Sequence, residues 1–241
     1  MKNIGIITQA RMSSTRLPGK ILKTLKNRSL LQHHIDRLKN TQLPICVAFT
    51  INAQDDVIEP IVKNQNLLFH RGSEEDVLSR YLECAHKYNF DHIVRVTSDC
   101  PLIDSSLILQ GLDYFKKNSN PYLYVSNCIE RTYPRGFDFE IFSTEYLEEA
   151  NLKARATELR EHVTPYIWKN IGGKTQFFHI KNEIDKSSYR LCVDEPADFR
   201  LMEILIEQNN MDQKSYLEII KFLDQNREIA NINLSVEQKK V

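Results

Sequence analysis

The stretch Ile6-Ile-Thr-Gln-Ala-Arg-Met-Ser-Ser-Thr-Arg-Leu-Pro-Gly-Lys-Ile21 decides how this chain is read. The apolar run from Ile4 to Ile7 ends abruptly in a loop with three cations, Arg11, Arg16 and Lys20, two serines, a threonine and a Pro-Gly turn. A buried strand that delivers a positive loop to the edge of a sheet has this form. Fixed cations and backbone N–H groups together suit a concentrated negative charge such as a polyphosphate. Two familiar phosphate loops are excluded. Ile21 follows Gly19-Lys20 where a P-loop needs Ser or Thr for its magnesium. A dinucleotide fingerprint needs three closely spaced glycines, and the chain has 7 in all. A solvated turn with ordinary surface cations stays open as the other reading.

Outward from this loop, strand-like and helix-like periods alternate. Ser29–Leu38 places Leu30, Leu31, His34, Ile35 and Leu38 on one helical face, and Ile45–Ile51 reads as the next strand. Ser73-Glu-Glu-Asp76 has capping-box form ahead of Val77, Leu78, Tyr81, Leu82 and Ala85. His92–Thr97 is strand-like, and Asp104 or Ser105 can cap the helix that follows. Gly136–Phe142 alternates as a strand does. Pro165 interrupts the helical pattern Thr157–Asn170, which predicts a kink or a restart at Thr164. Pro196 sits where a first helical residue would. This alternation predicts an α/β fold with a mainly parallel sheet flanked by helices, in which ligands bind at the carboxyl ends of the strands.

Composition narrows the function. Lys plus Arg and Asp plus Glu are 32 each, which argues against a general nucleic-acid binder or a polybasic membrane protein. No apolar run is long enough to span a bilayer. The 5 cysteines are scattered, without a Cys-x-x-Cys pair, so reduced thiols in a cytoplasm fit best. The length suits one domain over 1–225, with a polar tail over 226–241. In that tail Ile232, Leu234 and Val236 alternate, as in a frayed end or an edge strand that packs on a partner.

Two aspartates end strand-like runs, Asp99 before Cys100-Pro101 and Asp194 before Glu195-Pro196. Each reads alone as a helix N-cap. Together with the cationic loop they make a magnesium site, since magnesium takes one or two carboxylates plus substrate phosphates. Asp138 and Glu140, two apart, would share one strand face and could bind hydroxyls, a metal or an amine. Arg71-Gly72-Ser73 precedes a helix start, where an anion or a base carbonyl could be held. Arg160-Glu161-His162 groups three titratable side chains. A solvent-facing edge, a simple cap and a structural histidine are the respective other readings.

In this order the segments resemble the sugar-activating cytidylyltransferases, the group of the CMP-Kdo synthetases and acylneuraminate cytidylyltransferases. Gln9–Lys20 is similar to their signature loop. Arg71–Leu78, Ser98–Asp104, Tyr133–Asp138 and Arg160–Pro165 resemble the branch named for spore-coat polysaccharide biosynthesis. Val193–Asp198 is similar to the closing Asp-Thr-Pro-Glu-Asp. The resemblance implies a Rossmann-like nucleotidyltransferase fold. It implies magnesium-dependent transfer of CMP from CTP to an acidic sugar, by a homodimer. By position it assigns Gln9, Ala10, Arg11, Ser14, Arg16, Lys20, Arg71 and Ser73 to the nucleotide, and Asp99 and Asp194 to the metal. Arg11, Lys20 and Asp99 become the catalytic residues, and Arg135, Asp138, Glu140, Arg160 and His162 face the acceptor. Two departures, Ser98 for Gly and Glu195 for Thr, remove no metal carboxylate. Transfer to a sugar phosphate or polyol phosphate is one alternative. A glycosyltransferase is another, because Asp138-Phe-Glu140 loosely resembles the Asp-x-Asp of that class.

Overall fold

The computed structural model describes residues 2–118 and 120–238. The strands in chain order are β1 (Ile4–Gln9), β2 (Thr24–Leu25), β3 (Arg28–Ser29), β4 (Ile45–Thr50), β5 (Leu68–Gly72), β6 (His92–Thr97), β7 (Leu123–Ser126), β8 (Glu140–Ser143) and β9 (Gln176–His179). The helices are α1 (Leu30–Lys39), α2 (Ile58–Asn64), α3 (Val77–Lys87), α4 (Ser105–Lys117), α5 (Thr144–Lys153), α6 (Thr157–Glu161), α7 (Pro165–Trp168), α8 (Pro196–Met202), α9 (Tyr216–Gln225) and α10 (Arg227–Ala230).

β1 is apolar because both of its faces are covered, the condition under which parallel strands read as continuous hydrophobic runs. It pairs in parallel with β4 on one side and β6 on the other. The sheet order is β5-β4-β1-β6-β8-β7-β9. β8 runs antiparallel to both of its neighbours, and the remaining pairings are parallel. The chain goes from β1 to β4 on one side and comes back to β6 on the other. The loops after β1 and β6 therefore diverge, and a crevice opens at their carboxyl ends. The expected mainly parallel α/β sheet is the observed one.

Helices on both faces close the core. α1 starts at a capping box between Ser29 and Gln32 and buries Leu30, Leu31, Ile35 and Leu38. α3 packs on the opposite face of β1, where Ile7 meets Val77, Leu78 and Tyr81 in one apolar cluster. A wholly buried side chain such as Leu78 contributes roughly 1.5–3 kcal/mol. Among the described residues no helix is long and apolar enough to cross a membrane.

Local structure departs from the sequence pattern in four places. The run before Asp194 forms no strand, only a bridge between Arg190 and Arg135. Ser73 forms no capping box: Asp76 is the N-cap, accepting from Ser79 N, and the Ser73 hydroxyl accepts from Asp76 N. The strand expected over Gly136–Phe142 starts only at Glu140. Gly136 has φ +105° and its backbone lies so close to Leu191 that a Cβ would sit 2.5 Å from the carbonyl carbon. The Asn127 side chain then takes the Phe137 carbonyl and the Phe139 N–H in place of a ladder. The chain after Gln225 is neither frayed nor a strand among the described residues. It forms α10, and Asn233 donates to Arg190 O and Asp198 Oδ1. Residues 239–241 of the expected tail lie outside the described residues. Pro165 divides the helical pattern into α6 and α7, with Thr164 as the second N-cap.

Candidate active site

A cleft of about 480 Å³ opens at the carboxyl ends of β1 and β6. The end of β1 supplies Gln9, and the loop after it Ala10, Arg11, Ser14, Thr15, Arg16 and Lys20. Thr97, Ser98 and Asp99 come from the end of β6, Val77 and Arg80 from α3, Glu161 and His162 from the end of α6, and Asp194 from the approach to α8.

The loop is held in shape from below. Buried Asp55 accepts from Met12 N at 2.7 Å and from both the N–H and the hydroxyl of Thr50. Met12 O accepts from Ser14 N and Gly19 N, and Gly19 turns the chain at φ +65°. That turn sends Lys20 inward. Its ammonium donates to Asp99 Oδ2 at 2.9 Å, Asp194 Oδ1 at 2.8 Å and Val193 O at 2.7 Å. Burial pulls the Lys20 pKa down, but attraction by Asp99 and Asp194 outweighs it and holds the ammonium above the ordinary lysine range. Burial likewise pushes Asp99 up, and Lys20, with hydrogen bonds from Lys20, Thr97 and Cys100, holds it below the usual carboxylate range. Lys20 stays charged and Asp99 stays ionised at neutral pH.

Neither aspartate caps a helix. Asp104 is the N-cap of α4, and Glu195 with Asp198 forms the capping box of α8. Asp198 also accepts from the backbone of Asp194 and Glu195 at 2.9 and 3.0 Å. Asp194 is thereby released to face the cleft, braced by Arg190 at 2.6 Å. Arg16 reaches Glu195 at 3.0 Å and Asp194 at 3.3 Å. Arg11 is half-exposed and 3.7 Å from Glu74. Asp99 and Asp194 converge on one cationic centre, as a hard cation's two carboxylates must. No group of three or more His, Cys, Asp or Glu forms a metal cage among the described residues. The donor set fits a cation that arrives with phosphate oxygens to complete its shell.

Several residues expected at the site are engaged elsewhere. Arg71 donates to Thr50 O and to Asp56 and lies over the Phe49 ring, and Ser73 serves the turn before α3. Asp138 is bidentate to Arg131, and Arg135 lines a separate small cavity with Arg190 and Asn233. Arg160 clamps Asp76 to the carbonyls of Asn151 and Ala154. The expectation that Glu140 faces an acceptor is corrected. It is 5% exposed and is enclosed by Arg95, the Tyr124 hydroxyl and the Thr164 hydroxyl. His162 does line the cleft.

Arg80 escaped the sequence reading. It sits between Val77 and Tyr81 on a stripe that is otherwise apolar, and that interruption was its only local signal. His34 read only as part of a helical face: wholly buried, it bridges the Thr8 hydroxyl at 3.0 Å and Cys100 O at 2.9 Å, so it ties β1 to the Asp99 loop.

The sequence profile of the family described as Cytidylyltransferase matches residues 5–231. The chain belongs to the cytidylyltransferase family. Its likeness to a solved cytidylyltransferase from Leptospira borgpetersenii is extensive: TM-score 0.91, 36% identity, and 100% of both chains covered. An uncharacterized protein of Methanocaldococcus jannaschii is 37% identical over 99% of this chain and 97% of its own length. The spore coat polysaccharide biosynthesis protein SpsF of Bacillus subtilis is 28% identical over 95% and 98%. As a cytidylyltransferase the chain is a nucleotidyl-transferring enzyme, and its cleft lies at the carboxyl ends of the strands, where open α/β sheets bind ligands.

Proposed function

We propose that this cytidylyltransferase moves CMP from CTP to an acidic sugar, a ulosonic or nonulosonic acid, with release of pyrophosphate, for surface polysaccharide synthesis in the cytoplasm. It would act with magnesium and as a homodimer. One observation carries the reading: Lys20 Nζ held at 2.9 and 2.8 Å from Asp99 and Asp194 in an open cleft. A charged cluster that faces open space is poised to exchange partners when a metal–triphosphate enters. The acidic acceptor rests on the resemblance of the loop Gln9–Lys20 to the CMP-Kdo synthetases and acylneuraminate cytidylyltransferases.

In this reading an acceptor oxygen attacks the α-phosphorus, and the bond to the bridging oxygen of pyrophosphate breaks. Positioning and charge neutralisation carry such a reaction. Asp99 and Asp194 would hold the magnesium. When bound, the metal polarises the α-phosphate and lowers the pKa of the attacking hydroxyl. Lys20 does not take a proton, because its pKa is raised; it supplies a fixed charge to the leaving pyrophosphate. Arg11 and Arg16, more exposed, would close on the outer phosphates. Gln9, Ala10 and Ser14 line the same cleft and would meet the nucleotide. His162 and Glu161 also line the cleft, and would meet the acceptor. The glycosyltransferase reading loses its metal motif, since Glu140 is enclosed and Asp138 is paired with Arg131.

The test is pyrophosphate release with CTP, magnesium and a panel of ulosonic and nonulosonic acids, beside sugar phosphates and polyol phosphates. A CMP-sugar from an acid is the expected product. Turnover only with a phosphorylated acceptor would replace the acceptor class, and none with any acceptor would defeat the proposal.

A further inference from the structure

Between α6 and α7 the chain makes a strained turn at the edge of the cleft. Thr164 N–H donates to His162 O at 2.8 Å, which closes a three-residue turn around Val163, and φ there is +69°. A γ-turn of this hand is rare and strained, and a β-branched side chain fits the left-handed region worse than most. Val163 is the only β-branched residue with positive φ among the described residues. It is wholly buried, in the apolar cluster that holds Leu78, Tyr81 and Ile167. Joining two short helices does not call for valine on such a backbone. Strain of this kind persists where the surroundings over-determine it, and it gathers at functional sites.

The surroundings grip the turn from both ends. After it, the Thr164 hydroxyl donates to Glu140 Oε1 at 2.6 Å, and Glu140 is itself fixed by Arg95 and the Tyr124 hydroxyl. Thr164 O also accepts from Ile167 N and Trp168 N, the first bonds of α7. Before the turn, the Arg160 guanidinium holds Asp76 at 2.6 and 2.9 Å and the carbonyls of Asn151 and Ala154. Asp76 caps α3, whose Val77 and Arg80 line the cleft. Between the two clasps stand Glu161 and His162, and both line the cleft. Arg160 and Glu140 line none of it, yet they fasten the two ends of the segment that does.

We propose, on the reading of the cleft as the transfer site, that the clasped turn is a positioning device: Thr164 and Val163 hold His162 in place for the transfer step. Released from Glu140, the turn would relax toward negative φ at Val163 and carry His162 with it. A displacement of about 1 Å costs on the order of a hundredfold in rate where reacting groups must be aligned. Neither Thr164 nor Val163 lines the cleft, so both act through the residue they hold. The sealed Arg95–Glu140 pair then has a use at a distance, as the fixed post to which the turn is tied.

The test sets Thr164→Val beside Thr164→Ser. The first keeps the shape and loses the hydroxyl, and the second keeps the hydroxyl. Glu140→Gln retains an acceptor oxygen, so the clasp is broken at Thr164 instead. One readout is the ring Cε1–H signal of His162 by NMR, identified by its absence in His162→Gln. The other is pyrophosphate release with CTP and whichever acceptor of the panel is used. Thr164→Val should move or broaden the His162 signal and lower kcat by about ten- to a hundredfold, with CTP affinity by calorimetry within about twofold of wild type. Thr164→Ser should restore both. An unmoved His162 signal in Thr164→Val would overturn the proposal, as would a moved signal with kcat unchanged. A loss of CTP affinity that accounts for the lost rate, or a Thr164→Ser protein as slow as Thr164→Val, would do the same. If the panel holds no acceptor for the wild type, the transfer reading fails alone, and the His162 signal in Thr164→Val against Thr164→Ser still decides whether the clasp holds His162.

Discussion

Two clusters in this molecule hold carboxylates against cations, and only one of them faces a cleft. Lys20, Asp99 and Asp194 meet at the carboxyl ends of β1 and β6, with side chains 11–24% exposed. Arg95 and Glu140 pair across β6 and β8, where the hydroxyls of Tyr124 and Thr164 close the remaining acceptor positions of Glu140. The first cluster is a set of charges with room for a ligand. The second is a sealed pair whose members have nowhere else to turn. A buried ion pair is thus not in itself a sign of chemistry; what matters is whether its remaining coordination points into space or into protein.

That contrast can be broken by mutation. Asp99→Asn and Asp194→Asn should each lower kcat by on the order of a thousandfold in a pyrophosphate-release assay, about 4 kcal/mol of barrier. Their thermal midpoints should move by only a few degrees, since Lys20 keeps its other carboxylate and Val193 O. Glu140→Gln should do the reverse. It leaves Arg95 buried without its counter-charge, and urea unfolding should show a loss of about 3–5 kcal/mol. Turnover of the protein that remains folded should stay within a few-fold of wild type.

A third experiment probes the strut between sheet and cleft. Burial lowers the His34 pKa from 6.5 to about 4, so the folded state keeps it neutral. Between those values the unfolded chain binds the proton and the folded one does not. Stability therefore rises with pH across that window and is lost as pH falls through it, by about 3 kcal/mol in all. Urea unfolding at pH 4.5 and pH 7 should show a shallower acid loss in His34→Gln than in wild type; an identical loss would remove His34 from the account. The smallest effect is expected at Arg71, which lies outside the cleft lining. Arg71→Ala should cost about 1 kcal/mol or less, with CTP affinity by calorimetry unchanged.

The legible parts of this molecule were those written in local pattern. The apolar run of β1 needs covering on both faces, and its abrupt end locates the cleft. Asp99 stands at a strand end because the chain stops being apolar there, whereas Asp194 follows no strand and is placed by the turn before α8. Local pattern does not tell which distant group claims a side chain. Alternation placed Asp138 and Glu140 on one face, but the Asn127 side chain replaced the ladder at Phe137 and Phe139, and Arg95 took Glu140. Arg71 and Arg160 read as ligand contacts, and the structure pairs them with Asp56 and Asp76. Arg80 was hidden for the opposite reason: an arginine inside an apolar helical stripe looks like a snorkelling surface residue until Gly72 is seen to let its stem approach.

The central claim is that Asp99 and Asp194 form, with Lys20, a seat for a metal-bound triphosphate. Manganese can report on it directly, by electron paramagnetic resonance of free Mn²⁺ titrated into protein with and without CTP. The account predicts little binding without CTP, saturable binding with it, and loss of that CTP-dependent binding in the Asp99→Asn/Asp194→Asn double variant. Undiminished CTP-dependent Mn²⁺ binding in the double variant would contradict it.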